Sequence, residues 1–150
     1  MINPVRCIAL ITLLLSLAAC GGHEKADHAG HDHAAPPVDQ TTPLSLTLDG
    51  ENKWQMDDHT RSTFNIMTER FDGLSPTKAD ASYLSGIAAA LESDIESLIA
   101  GCTMTGAAHD ELHKYLAVYI PKVEQMKTTG ELMDAMEVLN LLNEYRYFFE

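Results

Sequence analysis

Cys102, Met104, His109 and His113 fall within twelve residues, in the stretch "GCTMTGAAHDELHKYL" from Gly101 to Leu116. Thiolate, thioether and imidazole are the donors that soft and borderline metal ions prefer. His109 and His113 stand at i, i+4, which on a helix places two imidazoles on adjacent turns within reach of one ion. Each residue has an ordinary alternative. A methionine in a turn is usually packing, a lone cysteine is often a small buried hydrophobe, and a helical histidine is often only hydrogen-bonded.

The donor set suits copper first. Two histidines, one cysteine and a weak methionine are the ligands of blue-copper centres, and Cu(I) accepts thiolate and thioether readily. Zinc would take Cys102 and both histidines, with Asp110 or water as the fourth ligand. The N-terminal dipole of a helix starting near Ala107 favours thiolate and disfavours imidazolium, so both effects favour ligation. A second group, Met56, Asp57, Asp58 and His59, opens the first helical segment, and His59 is a candidate extra ligand. Met126, Met133 and Met136 read as core filler, and Asp94 and Glu96 as a solvated face.

The cysteine count isolates Cys102. The chain opens "MINPVRCIALITLLLSLAAC", a short start carrying Arg6, an apolar run and small residues before Cys20. This is a secretory signal and is too short to span a membrane. Leu17-Ala18-Ala19-Cys20 resembles the lipobox of bacterial lipoproteins. The resemblance implies cleavage before Cys20, lipid attachment there, and an envelope address on the periplasmic side. Gly21 in place of Asp points to the outer rather than the inner membrane. On that resemblance Cys7 would leave with the signal (residues 1–19) and Cys20 would be acylated, so Cys102 would remain alone where exported proteins usually pair their thiols. The net charge of −12 becomes −13 with the loss of Arg6. Such acidity disfavours nucleic acid and anionic lipid surfaces as partners.

Residues 20–50 form a tether and an extended arm. Gly, Ala, Pro, Asp and His dominate the segment up to about residue 43, which has too few large apolar side chains to order itself. It carries His23, His28, His31 and His33, four of the seven histidines. These could collect Cu(II), Ni(II) or Zn(II) at low affinity, weakening below about pH 6 as imidazoles protonate. "PLSLTLDG" alternates Leu44, Leu46 and Leu48 before a turn at Asp49-Gly50, but no partner strand follows, so an arm laid along the domain is expected.

From residue 51 to residue 150 the periodicity is helical. The first segment spans about Lys53 to Phe71, with Trp54, Phe64, Met67 and Phe71 inward. Ser75-Pro76 is a helix-start signal. The second segment then runs to about Cys102 on a stripe of Leu84, Ile87, Leu91, Ile95, Leu98 and Cys102. The third starts near Ala107 and buries Leu112, Leu116, Tyr119, Ile120 and Val123, with Pro121 expected to kink or end its first part. The fourth covers about Glu131 to Phe149 on Leu132, Ala135, Leu139, Leu142, Tyr145 and Phe149. Short connections predict an all-α fold, an antiparallel up-and-down four-helix bundle behind a disordered His-rich linker. His109, His113, Leu116 and Ile120 share one face of the third segment, which reads as core-facing, and the turn before it would bring Cys102 and Met104 to the same point.

The central stretch also resembles a signature of small, poorly characterised exported bacterial proteins. Cys102, Thr103, Met104, Gly106, His109, Leu112 and His113 carry the match; many of those proteins have Glu after the Gly, where this chain has Ala107. The resemblance spans about residues 80–120 and implies metal handling loosely.

The expected function is a membrane-tethered periplasmic metal-binding protein, copper before zinc, that buffers, delivers or senses the ion. Its partner would be a metal-efflux or metal-receiving envelope protein. Two other classes compete. One is a metal-free helical interaction module of an envelope complex. The other is an electron carrier holding copper, or b-type haem through His109 or His113; the absence of CxxCH in the sequence excludes covalent haem. An enzyme is not expected, since Cys102, the histidines and Asp110 come with no oxyanion-hole loop. The sequence does not set the oligomeric state.

Overall fold

The computed structural model describes residues 43–150. The expected signal peptide, Cys20 and the four histidines at 23, 28, 31 and 33 lie outside the described residues. The helices are α1 (Asp58–Glu69), α2 (Ala81–Gly101), α3 (Gly106–Thr129) and α4 (Leu132–Glu144), and a 3-10 turn follows at Tyr145–Tyr147. Consecutive helices pack against one another and α4 returns to α1, an antiparallel four-helix bundle with no strand among the described residues. None of the described helices is long and apolar enough to cross a membrane.

Two helix starts differ from the sequence reading, for the same reason. α1 begins after Asp57, whose carboxylate accepts the Thr60 N–H at 2.6 Å. α2 begins after Asp80, whose carboxylate accepts the Tyr83 N–H at 2.9 Å. An aspartate at the N-cap satisfies a helical N–H that would otherwise lack a partner. Ser75-Pro76 instead opens a separate turn, with the N–H groups of Lys78 and Ala79 bonded to the Ser75 carbonyl. Trp54 precedes α1 and exchanges backbone hydrogen bonds with the C-terminus, from its N–H to Phe148 O at 2.7 Å and from the Glu150 N–H to its own carbonyl at 2.9 Å.

Pro121 does not end or divide the third helix, which runs unbroken from Gly106 to Thr129. The ring removes one helical hydrogen bond. The buried side chains of Tyr119, Val123 and Met126 on either side hold the axis in place.

The core confirms most of the expected stripes and shifts one. Phe64, Met67, Phe71, Leu84, Ile87, Leu91, Ile95 and Leu98 are buried as expected, as are Ala135, Leu142, Tyr145 and Phe149. On α3 the buried face is centred on Leu112, Tyr115, Leu116, Tyr119, Val123 and Met126, rotated away from the histidines. Tyr115 is held edge-on to Phe64 at 5.5 Å between centroids, and Phe64 stacks on Tyr145 at 4.3 Å. Such aromatic pairs add roughly 0.5–1.5 kcal/mol beyond the area they bury. The Tyr115 and Tyr119 hydroxyls are buried and have no hydrogen-bond partner among the described residues. Burial pushes both phenols well above their ordinary value, so they stay protonated. The methionine reading is corrected in part: Met126 is core, but Met133 and Met136 are exposed on α4. Asp94 is not simply solvated, because Arg70 grips it through Nε and Nη2 at 3.0 Å each.

The arm at residues 43–48 is extended, with Leu44 and Leu46 half-buried against the core. Leu48 is exposed, and the chain turns through Gly50 with reciprocal bonds between Asp49 and Asn52. One buried carboxylate fixes the arm. Glu111 on α3 accepts the Thr47 N–H at 3.1 Å and the Thr47 hydroxyl at 3.0 Å, and Lys114 Nζ at 2.6 Å.

Candidate metal centre

The turn between α2 and α3 is built by four residues. Cys102 leaves the helix with extended backbone, its N–H still bonded to Leu98 O at 2.9 Å. Thr103 gives both its N–H and its hydroxyl to Asp57 Oδ2, at 2.6 and 3.0 Å. Asp57 therefore caps α1 with one oxygen and anchors the turn with the other. Burial raises the Asp57 pKa, but the hydrogen bonds from Thr60 and Thr103 together outweigh it and hold the carboxyl well below its ordinary value. Gly106 opens α3 at φ +67°, a left-handed conformation that L side chains rarely adopt.

His109 and His113 meet on adjacent turns of α3. Their Nε2 atoms are 3.1 Å apart and their rings are nearly perpendicular, with centroids at 4.4 Å. His109 is half-buried and His113 exposed. With Cys102 they line a small cavity of about 50 Å³, whose apolar wall includes Leu98, Ile99, Leu112 and Leu116. The pair lies at the margin of the α2–α3 seam, not on the core-facing side of α3 expected from the spacing. The reason is phase. Tyr115 and Tyr119 are the larger apolar groups, and burying them turns the 109–113 face toward the seam edge.

Of the four expected ligands the structure brings two into contact and a third to the same cavity. Met104 does not line it; the thioether packs half-buried against the core. Cys102 is a free thiol, half-buried and packed on the core cluster at the cavity wall. Among the described residues no three of His, Cys, Asp and Glu converge as a complete metal group. His59 does not line this cavity. Its Nε2–H donates to Ser97 O at 2.8 Å, and its ring sits against Gly101. A Cβ at position 101 would meet that ring at 2.3 Å, so a larger residue there would have to displace the imidazole.

The donor pair fits a transition-metal ion as far as it goes. Zn–N bonds are about 2.0–2.1 Å, so two nitrogens 3.1 Å apart would subtend roughly 100° at a shared ion, near the tetrahedral value. The 3.1 Å contact is a hydrogen bond in which one Nε2–H donates to the other Nε2. Cys102 would complete a third position only by turning its side chain from its packing against the core.

Asp57 and Glu111, which position the turn and the arm, were not singled out for those roles in the sequence. A capping signal existed for Asp57, an aspartate just before the first helical turn. Nothing in the sequence marks Glu111, because its partner Thr47 is sixty-four residues away.

Compared with known proteins, the chain matches no protein-family model, no curated protein and no solved structure.

Proposed function

We propose that this chain is a metal-binding protein tethered by lipid at Cys20 in the bacterial envelope, on the periplasmic side. It takes copper ahead of zinc as cargo, to buffer, deliver or sense it. The observation that carries this is the His109–His113 pair, with Nε2 atoms 3.1 Å apart on a cavity shared with Cys102. Two imidazoles at the solvent edge give a site of incomplete coordination, which suits an ion that must be passed on rather than locked in place. The tail histidines His23, His28, His31 and His33 would raise the local supply of metal. The cavity of about 50 Å³ is far smaller than the roughly 300 Å³ at which pockets for organic groups begin, which supports an ion over haem at this place.

The test is a parallel titration of Cu(I), Cu(II) and Zn(II) into reduced residues 21–150 made without an affinity tag. The comparisons are a fragment lacking residues 21–40 and the variant His109→Ala/His113→Ala. One-to-one binding that survives loss of the tail and disappears in the double variant supports the bundle site. Binding that vanishes with the tail removes the bundle from the metal chemistry. A second reading is a metal-free interaction module. It predicts no binding to the bundle at all.

A further inference from the structure

A shallow groove of about 350 Å³ runs along the α2–α3 seam beside the histidine pair. Its floor is Ile95, Ile99 and Ile120, and its rim carries Glu92, Glu96 and Glu124. Ile99 is 58% exposed, and it lines both this groove and the cavity that holds Cys102, His109 and His113. The two concavities therefore adjoin at Ile99.

The charges on the rim are uneven. Glu92 is bound by Lys127. Glu96 and Glu124 form no ion pair among the described residues, and no cationic side chain lines the groove. An apolar floor between unneutralised carboxylates is complementary to a helix that is apolar on one side and cationic at its flanks. A second copy of this chain fits poorly. At a net charge of −12 it would bring more carboxylates against Glu96 and Glu124.

We propose that this groove is the docking surface for a cationic amphipathic helix on the protein that exchanges metal with His109 and His113. The exchange part of this rests on the function proposed above; the docking part rests on the groove alone. A partner helix seated on Ile99 would lie against the exposed His113, where an incoming ligand can reach the ion.

The probe is a fluorescently labelled helical peptide of leucine and lysine, with leucine at i, i+3, i+4 and i+7. Its anisotropy is followed on titration with residues 21–150. Expected is saturable binding, weakened about tenfold or more by Glu96→Lys/Glu124→Lys and by Ile99→Asp. The same charge change placed elsewhere, Glu69→Lys/Asp72→Lys, should leave it within about twofold. Thermal melts establish that each variant is folded, and all the changed residues are at the surface. Equal binding by wild type and Glu96→Lys/Glu124→Lys, or equal loss in Glu69→Lys/Asp72→Lys, would overturn the docking surface. The two proposals separate cleanly. His109→Ala/His113→Ala should lose the metal yet keep saturable peptide binding that still weakens with Glu96→Lys/Glu124→Lys, and Glu96→Lys/Glu124→Lys alone should bind metal with unchanged stoichiometry.

Discussion

Asp57 Oδ2 accepts two hydrogen bonds from Thr103, from the backbone N–H at 2.6 Å and from the hydroxyl at 3.0 Å. Residues forty-six positions apart are thereby joined, and the start of α1 is fastened to the turn that precedes the histidine pair. Replacing Asp57 with Ala removes a helix cap and a charge-assisted anchor together. The expected loss is about 2–3 kcal/mol in urea unfolding. Thr103→Val should lose less, about 1 kcal/mol, because the cap remains. If Asp57→Ala is no worse than Thr103→Val, the carboxylate does not serve both ends.

The same carboxylate makes stability depend on pH. Asp57 and Glu111 both hold their protons less tightly when folded than their ordinary values of 3.8 and 4.5. At Glu111 burial works upward and is outweighed by the bonds from Lys114 and Thr47. The unfolded chain therefore binds more protons in this range, and stability rises with pH there. The contribution is fully present above the ordinary carboxylate values and is lost as pH falls below them. Unfolding midpoints measured between pH 6 and pH 3 should drop, and Asp57→Asn should flatten that slope.

Gly101 and His59 form a second coupled pair. Gly101→Ala puts a methyl group where the imidazole lies, so a destabilisation of about 1–3 kcal/mol is expected. His59→Ala in the same background should relieve most of it, although alone it loses the bond to Ser97 O. A double-mutant cycle with no coupling would show that the ring moves away freely.

The arm is reported by the single tryptophan. Trp54 Nε1–H donates to Thr47 O at 2.6 Å, and Thr47 is held by Glu111. Glu111→Ala should release the arm, red-shift Trp54 emission, and open residues 43–48 to proteolysis. The expected loss of stability is about 1–3 kcal/mol. An unchanged emission spectrum would mean that Leu44 and Leu46 hold the arm by packing alone.

Cys102 tests the coordination of a bound ion. If the thiol turns to join the histidines, Cys102→Ser should abolish any thiolate-to-copper absorption and lower affinity for Cu(I) more than for Zn(II). If the ion sits on the two imidazoles only, the variant should bind as the parent does.

The sequence by itself determined the four helices, their order and most of their inward stripes. These follow from local periodicity, since a helix repeats every 3.6 residues whatever surrounds it. It also marked the neighbours Cys102, His109 and His113, because an i, i+4 pair on a helix meets through local geometry. The tertiary structure decided the rest. It chose which side of α3 is buried, as two tyrosines outcompeted the histidine face for the core. It left Met104 as packing and Met133 and Met136 exposed, which spacing could not distinguish from ligand or core. It joined Asp57 to Thr103 and Thr47 to Glu111, contacts with no trace along the chain. Periodicity records only what lies within a few turns, and these partners become neighbours only when whole helices pack.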